Sequence, residues 1–465
     1  MARRARQVVA SRSDSLPWLG AVLISAYAGR AVVQSPSPEI LVAVALIVML
    51  VVATLAIGTE YALAALLVTA PIGLEQLTQN QRNLLPAFGG WAVSSLRLAV
   101  LLAVVAGLLV MKGLPRTPTV PERLYALLAL WLTLMLVISP SLVDGLRFTA
   151  KVVALPSAWL GFEWMIRRFG VESVWRLLRW ALVGTIAADA FLYVAGLEVL
   201  ASPFQPGRFA GIAGAPASGA LSLALLSLVA LYRWLKAREM WSLILYVSAW
   251  FFVFLSLTRI ALAGLFIASF VLAALMGRWL QALMISSVLL AVVFSYAPLR
   301  ERMAWGNAAK SWSAIYQSYQ QHGTTNLNVE GRLVLWKPLW QEFTDHPLTG
   351  AGTGASSEVL RKASRESLAS GGLGADVVTQ AHSDYLALLA NGGVIALGLW
   401  LAALGGLIVR FARASGPAAI AVAGLVLYLL ASVTDNSIEM YSNVGIPLGA
   451  IIALAFTTAG RERLA

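Results

Sequence analysis

The sequence predicts an all-α polytopic membrane protein with twelve to fourteen transmembrane helices. Three observations predict it. Hydrophobic residues make up 59% of the chain and charged residues only 12%, against about 25% charged in an ordinary soluble protein. Mean hydropathy is +0.78. Apolar runs of roughly 16 to 25 residues recur along the chain, the length that crosses a bilayer as a helix. The chain has no cysteine, which excludes disulfides, a thiolate nucleophile and cysteine metal sites.

In order, spans are expected near 16–34, 39–57, 61–75, 93–111, 122–139, 146–165, 178–196, 213–233, 241–257, 260–277, 280–297, 383–408, 417–434 and 443–460. The first follows Arg3, Arg4, Arg6 and Arg12 and leads into no soluble domain, so it reads as an uncleaved span. Only 58–60 separates the second from the third, and only Thr258-Arg259 the ninth from the tenth. Twelve full spans plus broken or peripheral helices is therefore the other count. Three regions result: an N-terminal transmembrane bundle, 1–297; a loop region with amphipathic helices, 298–381; and C-terminal transmembrane helices, 382–465.

The basic residues give the orientation. With the N-terminus inside, nineteen of the 34 Lys and Arg fall in inner loops, where they are ordinary topology determinants. The net charge of +12 is thus mostly topology and indicates no nucleic-acid partner. Arg30, Arg82, Arg97, Arg147, Lys151, Arg208 and Arg259 lie at the outer ends of spans, where retention signals are not needed. Each can be explained by snorkelling to head groups. As a set on one leaflet, they fit a phosphate site, which guanidinium forks grip bidentately.

The long outer loop is mostly polar but not featureless. Leu333, Trp336, Trp340 and Phe343 recur at helical spacing with Arg332 and Lys337 beside them, which predicts an amphipathic helix over 331–343 on the outer bilayer surface. The run Gly350-x-Gly-x-Gly354 lacks the strand and lysine-serine of a nucleotide loop, so it reads as a turn, with amides able to face an anion. Ser370 to Ala375 is glycine-rich. The loop ends in Gln380-Ala-His382-Ser-Asp-Tyr385, where an apolar helix begins. His382 there can act as a base towards a bound hydroxyl, or simply hydrogen-bond the helix start. His346 precedes a proline in a turn and reads as structural; His322 reads as exposed. Asp144, Asp384, Asp435 and Glu439 are outer but scattered in sequence, with no carboxylate pair at metal-ligand spacing, so no metal is expected.

These pieces resemble the O-antigen ligase and O-antigen polymerase superfamily of bacterial inner-membrane glycosyltransferases. The resemblance rests on Gly331-Arg332…Trp336…Trp340…His346-Pro347-Leu348-Thr-Gly-Ala-Gly352, on Ala381-His382-Ser383-Asp384-Tyr385-Leu386…Asn391-Gly392-Gly393-Val394, on Thr258-Arg259, and on Arg208-Phe-Ala-Gly211. Family members usually carry an asparagine soon after the histidine; Ser383-Asp384 stands here. The resemblance implies a GT-C-like fold and a periplasmic active site, with both termini cytoplasmic. It implies en bloc transfer of a glycan from undecaprenyl pyrophosphate, with neither cofactor nor metal. The acceptor is lipid A–core in ligases, another lipid-linked repeat in polymerases, and a protein hydroxyl in other relatives. One large outer loop favours the ligase. On this reading the donor pyrophosphate meets Arg147, Lys151, Arg208, Arg259 and Arg332, and His382, with Arg332, carries catalysis. A lipid-linked glycan transporter is the reading from a different class; it predicts repeat symmetry and midplane charges, and neither is seen.

Overall fold

The computed structural model describes residues 59–72, 89–195, 208–295, 329–369, 380–414 and 416–461. The expected spans 16–34 and 39–57, Arg30, Arg82, Arg300, Arg302, Lys310, His322 and the glycine-rich stretch 370–375 lie outside the described residues. Among the described residues there are fourteen α-helices and no strand. They are α1 Thr59–Thr69, α2 Gly89–Lys112, α3 Val120–Leu134, α4 Leu142–Phe169, α5 Val171–Val194, α6 Pro216–Ala237, α7 Met240–Leu255, α8 Arg259–Leu275, α9 Trp279–Ser295, α10 Val329–Asp345, α11 Ala355–Ala369, α12 Asp384–Ala412, α13 Ala418–Thr434 and α14 Ile446–Arg461. Each span expected from 61–75 onward coincides with one of them. Among the described residues, four stretches are long and apolar enough to cross a membrane: Val120–Ile138, Val171–Val194, Pro216–Ala237 and Asp384–Ala412. The protein is an all-α polytopic membrane protein.

Local chemistry sets the helix ends. Glu122 accepts both the Thr119 N–H and its hydroxyl at 2.7 Å, a capping box that starts α3. Ser141 caps α4, accepting from the Asp144 N–H at 3.4 Å. α6 is the central post, with 83% of its apolar window buried, and it packs on α5, α7, α8, α13 and α14. α4 lies against α2 and α14, and α12 against α3 and α13.

α12 is not one straight rod. At Gly393 the backbone leaves the helical region, with φ 67° and ψ −166°. Tyr385 and Trp400 nevertheless meet edge-on, ring centroids 5.4 Å apart. Fifteen residues along a straight helix would separate them by about 22 Å. The limbs 384–392 and 394–412 therefore fold back on each other. Only the second limb is left to cross the membrane, and at about 28 Å it matches a hydrocarbon core. The span expected over 383–408 is thus a helical hairpin. His382 does not sit at the mouth of a span; it sits at the foot of a short limb that descends into the bundle.

The glycine turn makes the reversal possible. Val394 N–H donates to Pro347 O at 2.9 Å, and Ala351 N–H donates to Ala390 O at 2.9 Å. A Cβ on Gly393 would lie 2.2 Å from Leu348 O, and one on Gly350 would lie 2.6 Å from Ala390 O. The amides of Gly350, Ala351, Thr353 and Gly354 all donate within the protein, so the turn is a packing device, not the anion loop its glycines allowed. α10 is likewise docked and does not simply float on a surface: Leu335 and Leu339 are fully buried, and Trp336 donates its indole N–H to Ala381 O at 3.0 Å. Trp340 and Leu333 stay exposed.

Gly393→Ala should lower the thermal midpoint in detergent, because a left-handed non-glycine residue costs about 1–3 kcal/mol before the clash with Leu348 is counted. An unchanged midpoint would refute the hairpin.

Candidate active site

The segment 380–384 is held from three sides. Ser383 caps the descending limb, accepting the Leu386 N–H at 3.5 Å. The buried Asp384 carboxylate accepts the Ile438 N–H at 3.0 Å. Asn436 Nδ2 donates to Gln380 Oε1 at 3.3 Å. Between these ties His382 takes φ +48°, a left-handed conformation for a non-glycine residue, which costs about 1–2 kcal/mol. Strain of this kind persists only where the surroundings over-determine it. Here they turn the ring so that Nδ1 lies 3.8 Å from Asp435 Oδ1, an electrostatic contact just beyond hydrogen-bond length. The other ring nitrogen then faces away from the carboxylate.

Asp435 stands at the end of α13, buried, and accepts the Asn436 N–H at 3.1 Å. Burial pushes its carboxyl up, but His382, Arg332 and that N–H outweigh burial and hold it below the usual carboxylate value. Burial lowers the Arg332 guanidinium; Asp435 opposes the shift and the positive charge of Arg259 adds to it. Arg332 Nε is buried with no acceptor among the described residues. His382, Arg332, Arg259 and Asp435 thus form one group drawn from the segment before α12, from α10, from α8 and from the end of α13.

A second group lies one short loop away. Lys151 pairs with Glu439, and the charge of Glu439 also reaches Arg147. Arg147 lies 3.7 Å from Asp144, which receives Arg361 from α11 at 3.0 Å. Asp435 and Glu439 are four residues apart, at most about 14 Å even if extended. Lys151 is nine residues into α4, so the 435–439 loop sits about 13 Å below the first residue of that helix. Of the acidic residues that look scattered in sequence, Asp435 and Glu439 stand on this loop, Asp384 accepts its Ile438 N–H, and Asp144 lies on α4 beside Arg147. Among the described residues, no three His, Cys, Asp or Glu side chains are grouped to hold a metal ion.

Arg208 stands behind the first group. Its Nε donates to Ser256 O at 2.8 Å and an Nη donates to Thr258 Oγ1 at 2.7 Å. These bonds clamp the tight turn whose Leu257 has φ +51°, immediately before Arg259. Arg97 needs no ligand to explain it: it donates to Thr69 O and Ile72 O, both at 2.8 Å, at the end of α1. Of the residues singled out in the sequence, the structure brings together His382, Arg332 and Arg259. It sets Arg147 and Lys151 beside them and gives Arg208 a supporting contact. Asp435, Asp384 and Glu439 are the partners that spacing did not connect.

The Asp435 carboxyl is depressed in the folded chain, so the unfolded chain takes up the proton first on acidification. Its contribution to stability is full above about pH 4 and is lost as pH falls through the lower folded value. Below that point, thermal midpoints should fall more steeply for the wild type than for Asp435→Asn. Parallel curves would remove Asp435 from the ion cluster.

Residues 244–401 match the family model described as O-antigen ligase. That stretch holds Arg259, Arg332 and His382 together with the Gly393 reversal, whereas Asp435 lies beyond it. A comparison with curated proteins gives no match.

Proposed function

We propose, from the match of residues 244–401 to the family model described as O-antigen ligase, that the protein is the ligase: it transfers a glycan en bloc from undecaprenyl pyrophosphate to a sugar hydroxyl of lipid A–core. The superfamily is one of glycosyltransferase-related membrane enzymes. The finer reading rests on one observation, the convergence of the His382–Asp435 pair with two arginines at the helix ends.

On this reading the donor diphosphate docks on Arg259 and Arg332. The buried, unmatched Nε of Arg332 is the donor group with most to gain from a phosphate oxygen. Arg147 and Lys151 extend the positive field towards the glycan side, and Arg208 keeps Arg259 aimed. The acceptor hydroxyl attacks the anomeric carbon. Its O–H proton passes to the His382 nitrogen that faces away from Asp435, while the carbon–oxygen bond to the diphosphate breaks. The leaving group departs as undecaprenyl pyrophosphate, already an anion stabilised by guanidinium groups, so it needs no general acid. Asp435 offsets the charge that develops on the ring, the part a carboxylate plays beside a catalytic imidazole. A single displacement inverts the anomeric carbon. On this reading the group faces the periplasm, where such donors are presented.

His382→Ala should lower transfer by about 10²–10⁴-fold with protein level unchanged, the usual worth of a positioned base. Arg259→Lys should recover only part of the loss seen in Arg259→Ala, since the fork is gone. The assay gives purified protein in liposomes the lipid-linked glycan with either lipid A–core or a second lipid-linked unit, and no ion gradient. Full activity in His382→Ala excludes the base. Product only with the second unit makes the protein a polymerase, and no new glycosidic bond with either acceptor leaves transfer to a protein hydroxyl or the transporter.

A further inference from the structure

At the end of the bundle opposite the His382 group, a cavity of about 250 Å3 opens between the start of α5, the end of α6 and the starts of α7 and α13. It is smaller than the about 300–1,000 Å3 of pockets for drug-sized ligands. Glu172, Trp175, Tyr232, Arg233, Lys236 and Glu239 line it. The lining carries two charges of each sign. Arg233 is engaged by Glu239 at 3.0 and 2.8 Å, and Ser242 braces that carboxylate at 3.0 Å. Lys236 Nζ stands 5.7 Å from the Tyr232 ring, which is stacked on Trp175 at 5.6 Å. The Tyr232 hydroxyl is buried and has no hydrogen-bond partner among the described residues. A buried hydroxyl is costly to leave unmade, and none of the described residues supplies the acceptor for its proton.

We propose that this cavity binds the headgroup of a zwitterionic phospholipid. The phosphate takes the Tyr232 hydroxyl and the Lys236 ammonium, and the headgroup's own ammonium faces Glu172. Three features select this chemistry. The mixed-sign lining, with no net formal charge, suits a ligand carrying both charges better than a plain anion. Trp180, Met240 and Trp241 are exposed at the same end, as side chains in a headgroup layer are. Ile244, Val247 and Phe251 are exposed along α7 and offer an apolar track for acyl chains. Pockets between helices at a membrane face bind anionic headgroups when they are basic; the balanced lining here turns that preference towards a headgroup that carries both charges. The proposal does not depend on the transferase reading, since none of its residues belongs to the His382 group.

The test is native mass spectrometry of the delipidated full-length protein with phosphatidylethanolamine, phosphatidylglycerol or inorganic phosphate. Phosphatidylethanolamine should be retained preferentially. Tyr232→Phe, which keeps the ring stack, and Lys236→Gln should each weaken retention by about 10-fold, one charge-assisted contact's worth, with unchanged thermal midpoints. Equal retention of phosphatidylglycerol, displacement by inorganic phosphate, or variants that hold lipid as the wild type does would each overturn the assignment.

Discussion

The reversal of α12 at Gly393 is the constraint on which the site depends. The nine residues of the first limb descend about 13 Å, and they bring 380–384 down among 435–438 instead of leaving it at the bundle's rim. The reversal is fastened by backbone and by a satisfied polar core. Trp131 donates to Gly392 O at 2.8 Å. The fully buried Asn391 accepts from Gly354 and Ser356 N–H and donates to Ser356 Oγ at 2.9 Å. Were α12 straight, His382 would begin it at the rim and Asp435 would lie well below its reach.

A floor of this kind is unusual for a membrane protein, because irregular backbone at depth must find partners inside the protein or line a cavity. Three such segments meet here. The 255–259 turn is clamped by Arg208, the 380–384 segment by Asp384, Gln380 and Trp336, and the 435–445 segment by the buried Asn443, whose amide donates to Ala70 O at 3.0 Å. Two of them carry a non-glycine residue at positive φ, Leu257 and His382, and each lies next to or within the proposed catalytic group. The third ends in a π-helical turn over Tyr441–Gly445, a feature frequent at functional sites. Of the three non-glycine residues at positive φ among the described residues, two thus stand where charged side chains have to be aimed; the third, Arg238, ends α6.

The sequence was legible where physics is one-dimensional. Apolar run length located twelve of the described helices, since burying a backbone in lipid leaves few alternatives to a helix. Cation sidedness singled out Arg147, Lys151, Arg208 and Arg259. The hairpin was not legible, because both limbs of 384–412 are apolar and hydropathy carries no direction; Asn391-Gly392-Gly393 was its only trace. Nor were the partners, because Asp435 is 53 residues from His382 and only the folding of α12 against α13 makes them neighbours. The roles within the cation set were hidden as well. A guanidinium that clamps a turn, as Arg97 and Arg208 do, has the same address in sequence as one that meets a ligand.

The acidic loop explains why so many cations can share one region before a ligand arrives. Like charges at this depth would repel strongly if bare, since the effective dielectric is low. Asp435 and Glu439 divide the work: one stands by His382 and Arg332, the other holds Lys151 and reaches Arg147. The neutralisation is uneven. Lys151 and Arg361 have carboxylates in contact, while Arg332 has only the distant pull of Asp435 and a buried N–H with no acceptor. On the proposed reading, a diphosphate entering this field would gain most where compensation is weakest, at Arg332. That position lies in the same group as the imidazole, whereas the paired cations stand beyond Glu439. On the proposed reading the carboxylates therefore do more than soften repulsion: by occupying some cations and sparing another, they would set where an incoming anion stops.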